Sequence, residues 1–208
     1  MRIWLPVPMG ESEQESKAMM KLKLVGCIAG LIGIACLLGY SQEKSEYVSP
    51  SEAVPRGKAP KMKVRLLNPG EGTKQYVVIF YQGDEAFSGL LEFAEQYHVK
   101  SAHFTAIGAV NGATLGWFDP QRKMYKKIQV NGQHELIGMS GDIALYKGKP
   151  VVHTHMVLGS PDGTTFGGHV LDANVSPTLE VMVTDDPVTM QKRFDPATDL
   201  TLIDPALK

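Results

Sequence analysis

Val151–His169, VVHTHMVLGSPDGTTFGGH, places two histidines two residues apart inside an apolar, β-branched run, follows them with a Pro-Asp-Gly turn and closes on Gly-Gly-His. Side chains alternate faces along a strand, so His153 and His155 point the same way. Reversal of the chain around Asp162 and Gly163 makes an antiparallel hairpin in which His169 stands opposite His155. Directly opposed Cβ atoms lie roughly 4.5–5.5 Å apart and the diagonal neighbour is within reach of a long side chain, so three imidazoles can converge. A bulge at Gly167-Gly168 would instead turn His169 to the other face. Three imidazoles with a fourth position left open are a known zinc arrangement; hydrogen-bonded strand histidines without metal are the alternative.

Working outward, the segments on both sides read as antiparallel sheet. Lys147-Gly148-Lys149 reverses the chain before the histidine strand, and Thr178 to Thr184 forms a strand after it. Two Asn-Gly pairs lie upstream between strand-like runs. Asn111-Gly112 is expected to join 103–110 to 113–118, and Asn131-Gly132 to join 125–130 to 134–139, each as a two-residue hairpin. Further back, Tyr76 to Gln82 is a β-branched and aromatic run that suits a central strand. Asp84 offers an N-cap, and Phe87, Leu90, Leu91 and Ala94 follow at helical spacing, which predicts an amphipathic helix over about 85–97. The pattern is that of an α+β domain, a mainly antiparallel sheet of about seven to eight strands with one principal packed helix.

The domain occupies 62–190. Residues 42–61, rich in Ser, Glu, Lys and Pro, read as a flexible linker, and 191–208 as a polar C-terminal tail. Met19-Met20-Lys-Leu-Lys opens an uncharged run from Leu24 to Tyr40, the form of an export signal, so 1–41 is read as an upstream extension plus a signal peptide or membrane anchor. Both cysteines, Cys27 and Cys36, fall in that run, and lipidation there is a third possibility. The remainder has no cysteine, which excludes disulfides and thiolate metal sites. It carries 17 basic against 19 acidic residues, so no positive field favours nucleic acid.

The stretches AIGAVNGATLGWFD, HTHMVLG and GGHVLD are the most specific parts of a resemblance that runs from about Tyr76 to Thr184. The chain resembles the plant and prokaryote conserved (PPC) domain. The resemblance implies a compact antiparallel sheet with a packed helix, assembly as a homotrimer, and a metal on His153, His155 and His169. Plant relatives join the domain to AT-hooks; here Pro55-Arg56-Gly57-Lys58 lacks the second Arg of such a hook. DNA binding is therefore an inherited description that this chain's charge does not support. The expected cofactor is a divalent metal, zinc by the donor set, and the expected partners are other copies of the chain and a small-molecule ligand. Hydrolytic or lyase-like chemistry on that small molecule is one expectation and a binding module without chemistry is the other. Asp172 and Glu180 are the candidate carboxylates for orienting an imidazole or acting as a base.

Overall fold

The computed structural model describes residues 46–52, 57–70 and 72–207. The expected leader, anchor and lipidation sites lie outside the described residues. Among the described residues no helix is long and apolar enough to cross a membrane.

Seven strands make the main sheet: β1 (Tyr47–Val48), β2 (Lys63–Leu66), β3 (Gln75–Tyr81), β4 (Ala102–Asp119), β5 (Met124–Tyr146), β6 (Lys149–Gly159) and β7 (Thr165–Asp185). The order is β1-β5-β4-β7-β3-β2, and β6 pairs with both β5 and β7, so β4, β5, β6 and β7 close a circuit. Every pairing in this sheet is antiparallel. Helix α1 (Ala86–Gln96) packs on the sheet through Phe87, Leu90, Phe93 and Ala94, all buried. Leu91 is only partly buried, and Phe93 takes the central place on that face. The N-cap is Glu85, one residue later than expected; its carboxylate accepts Phe87 N–H at 2.9 Å and Ser88 N–H at 2.8 Å. Asp84 instead ties the preceding turn, accepting from the backbone N–H groups of Lys61 and Tyr81, both at 3.0 Å.

The two Asn-Gly pairs are not hairpin turns. β4 runs 18 residues through Asn111-Gly112 and β5 runs 23 residues through Asn131-Gly132, and the pairs lie side by side, with Asn111 opposite Gln133 and Ala113 opposite Val130. A two-residue type I′ turn needs positive φ at both central residues. Here only the glycines have it, Gly112 at 108° and Gly132 at 83°, which suits bulges that bend two long strands together. The reversal that does meet the type I′ requirement is Lys147-Gly148, with φ of 51° and 77°, between β5 and β6.

The stretch read as a linker is docked where it is described. Tyr47 and Val48 pair with Lys126 and Tyr125 on β5, Ala59 is buried, and Lys58 C=O accepts Glu85 N–H at 2.9 Å. The tail also differs from a plain polar segment. It forms a second hairpin, β8 (Lys192–Asp195) and β9 (Leu200–Ile203). Asp195 shapes its turn by accepting Ala197 N–H and Thr198 Oγ1–H at 3.0 and 2.7 Å.

Candidate metal centre

Strict alternation on β6 sorts its side chains. Val152, Thr154, Met156 and Leu158 point into the core, which leaves His153 and His155 on the opposite face. Thr154 donates its hydroxyl to Ser140 C=O at 2.9 Å, so the one polar side chain on the core face is satisfied. The β6–β7 turn closes with Ser160 N–H on Thr164 C=O at 2.8 Å and Gly163 at φ 83°. From there the register runs without a slip: Val157 faces Gly167, Met156 faces Gly168, and His155 faces His169. Gly168 lies close against β4 on the core side, where a Cβ would stand 2.8 Å from Gly116 C=O and 3.3 Å from Leu115 Cβ.

The three imidazoles form a near-equilateral group, with ring centroids 5.2 Å apart for His153–His155 and 5.3 Å for each of the other two pairs. One nitrogen from each lies within 4.8 Å of the others. Three nitrogens at 2.0–2.1 Å from one tetrahedral ion would be roughly 3.4 Å apart, so side-chain rotation of about an ångström completes the set. His153 and His169 are half-buried and His155 is the exposed member.

Each ring has its own support. Across β5, Asp142 is the residue opposite His153, and its Oδ2 lies 3.3 Å from His153 Nδ1. A carboxylate only accepts, so Nδ1 carries the proton of the neutral ring and Nε2 keeps the free lone pair. That tautomer leaves Nε2 free to coordinate a metal. The other oxygen of Asp142 meets Lys192 Nζ at 2.8 Å. Burial pushes the Asp142 carboxyl up, but the hydrogen bonds from His153 and Lys192 outweigh it and hold the group below its ordinary 3.8. His169 stacks on Tyr125, centroids 4.5 Å apart and planes 10° from parallel. Gly116 makes room for that ring, since a Cβ there would lie 2.9 Å from Tyr125 Cδ1. Partial burial, with the neighbouring His153 adding to it, moves His155 below its ordinary 6.5, which keeps it neutral and able to bind metal.

A cavity of about 260 Å³ opens beside His153 and His169, walled by Tyr125, Lys192, Thr201 and Leu202. A wider, more apolar hollow of about 660 Å³ lies on the His155 side, lined by Ile107, Met139, Met156 and Val157.

The two carboxylates expected from the sequence lie elsewhere. Asp172 is on β7 opposite Thr114, and Glu180 is exposed, eleven residues past His169, opposite Ile107. Asp142 holds the imidazole-orienting position that they were expected to fill. The other histidines are also apart from the group: His98 closes α1 at φ 55°, His103 pairs with Asp186 at 2.9 Å, and exposed His134 lies 3.1 Å from Gly132 C=O.

Comparison with known proteins agrees with this architecture. None of the curated proteins matches the chain. Among solved structures, a metal-containing protein from Archaeoglobus fulgidus superposes with a TM-score of 0.59 at 29% identity, covering 68% of this chain and 96% of that one. A plant- and prokaryote-conserved protein from Pyrococcus horikoshii gives 0.60 at 26%, covering 70% and 96%. A candidate DNA-binding protein from Bacteroides thetaiotaomicron gives 0.61 at 25%, covering 62% and 91%. The sequence of residues 67–186 matches the family itself, and with the sheet, the helix and the motif-bearing strands all in place, the chain belongs to the Plants and Prokaryotes Conserved (PCC) domain family.

Proposed function

We propose that this protein binds one divalent metal ion, zinc by its donor set, through His153, His155 and His169. The observation that carries the reading is the meeting of three imidazole nitrogens within 4.8 Å on one sheet face, with Asp142 orienting the first ring. Neutral imidazoles without thiolates suit an open, water-accessible zinc site better than a closed structural one. The metal-containing description of the Archaeoglobus fulgidus relative supports the same reading.

When bound, such an ion supplies Lewis-acid polarisation of a carbonyl or phosphoryl oxygen and acidifies water. The protein's share is to keep the three rings neutral, aim them, and shape the space beside them. The 260 Å³ cavity admits only a small molecule, and its Leu202 and Tyr125 walls would seat an apolar portion against the site.

We further propose that the domain works as an exported homotrimer. The leader pattern in 1–41 supports export. Self-association is supported by a sheet face that leaves Ile107 and Ile137 each 62% exposed beside Met182 and Val157. Large apolar side chains gathered exposed on one sheet face favour an interface there.

Elemental analysis of the purified full chain tests the metal reading. About one equivalent of a divalent metal per chain, lost when all three histidines become Ala, is expected; no metal after reconstitution would sink the proposal and leave a binding module without metal chemistry.

A further inference from the structure

The family match ends at residue 186, yet the chain beyond it returns to the histidine cluster. Leu145 N–H donates to Met190 C=O at 2.9 Å, and Leu145 bridges Gln191 in parallel, which lays the start of β8 along the end of β5. Lys123 Nζ donates to Pro196 C=O at 2.8 Å and holds the far end of the hairpin. Between these anchors Lys192 is turned inward. Its side chain is 4% exposed, and its ammonium meets Asp142 Oδ1 at 2.8 Å while Asp142 Oδ2 faces His153 Nδ1 at 3.3 Å. β9 contributes Leu200, Thr201 and Leu202 to the wall of the adjoining cavity.

Burying an ammonium is costly unless a partner compensates it, and a hairpin tether alone needs no such group. What a buried charge at this place does is fix a carboxylate that otherwise rotates. With one oxygen held by Lys192, the other is left aimed at a single ring nitrogen.

We infer that Lys192, from the hairpin that follows the family match, is a positioning residue of the metal centre: it locks Asp142, which in turn holds His153 with Nε2 presented to the ion. The inference deepens the metal reading and rests on it, but its first consequence, the tautomer of His153, exists without metal.

The test uses the full chain, with Lys192→Met, Lys192→Arg and Lys123→Met as variants. Long-range ¹H–¹⁵N NMR on metal-free protein reads the tautomer, and zinc transfer to a chromogenic chelator reads release. The wild type is expected to show the Nδ1–H form of His153. Lys192→Met is expected to mix the tautomers and release zinc about tenfold faster, the lower end of what loss of a supporting partner costs a metal site. Lys192→Arg should restore both, and Lys123→Met, which loosens only the hairpin's far end, should change neither. An unchanged tautomer in Lys192→Met overturns the inference, and so does an equal effect from Lys123→Met. If the wild type binds no zinc, the metal reading fails, and the NMR arm still decides whether Lys192 sets the ring.

Discussion

Asp142 and His153 face each other across β5 and β6, with carboxylate Oδ2 3.3 Å from imidazole Nδ1. This one pair converts an ordinary strand histidine into a ring with a defined free nitrogen. Replacing Asp142 by Ala should therefore weaken zinc binding about 10- to 100-fold. The fold should survive at reduced stability: the residue lies on the outer face and not in the core, but its loss leaves the buried Lys192 ammonium without its carboxylate. Competition with a fluorescent zinc chelator measures the affinity, and circular dichroism checks the fold. An unchanged affinity would remove Asp142 from the site.

Gly141, next to it, has a different task. A Cβ there would lie 2.4 Å from His153 C=O, 2.5 Å from Phe104 Cζ and 2.8 Å from Thr154 Cβ. Gly141→Ala must push β6 away from β5 or displace a core aromatic, and overpacking of this kind costs about 1–3 kcal/mol. Thermal denaturation should show a Tm lower by several degrees, with weaker zinc binding because the displaced strand is the one that carries His153. A Tm equal to wild type would mean that the strands are less tightly joined than described.

Acid should destabilise the metal-free protein. His155 has its pKa held below 6.5 by partial burial first and by His153 second, so between that lowered value and 6.5 the unfolded chain takes a proton that the folded one refuses. Its contribution is whole above 6.5 and is lost as pH falls through the lowered value. Asp142, held below 3.8 by its hydrogen bonds against the opposing effect of burial, acts in the same direction at lower pH. Denaturant melts from about pH 7.5 to about pH 4 should show falling stability, and zinc affinity should fall over the upper part of that range as protons compete for the rings. A stability that rises on acidification from neutrality would contradict the His155 assignment.

Self-association is expected to depend on the exposed sheet face. Ile107→Asp places a second carboxylate opposite Glu180, on the exposed face that also carries Ile137, Met182 and Val157. The variant should sediment as a monomer where the wild type sediments as a trimer, because an unpaired buried carboxylate is not tolerated at an interface core. A wild type that is monomeric at micromolar concentration would defeat the trimer proposal, and a variant that stays trimeric would place the interface elsewhere.

Most of the fold was legible because its signals are local. The alternation of β6 and the Asp162-Gly163 reversal give the His155–His169 register directly, and Gly167-Gly168 turned out to be paired backbone, without a bulge. The Asn-Gly pairs were misleading because a glycine at positive φ serves a bulge as well as a turn; only the long-range pairing of β4 with β5 distinguishes them. Asp142 was readable in principle. Once Lys147-Gly148 is the two-residue turn, counting back along β5 puts Asp142 opposite His153. Asp172 and Glu180 follow His169 on the same strand, but β7 leaves the cluster to pair along β4 and β3. Lys192 had no local signal at all, since a short polar hairpin declares neither where it docks nor which side chain it buries.

The central claim is that three histidines hold one metal ion, and X-ray absorption on the zinc-loaded full chain tests it most directly. The account predicts a first shell with three imidazole nitrogens at about 2.0–2.1 Å, reduced when any one of His153, His155 or His169 is replaced by Ala. A shell without imidazole scattering, or one that persists when all three are replaced, would contradict it.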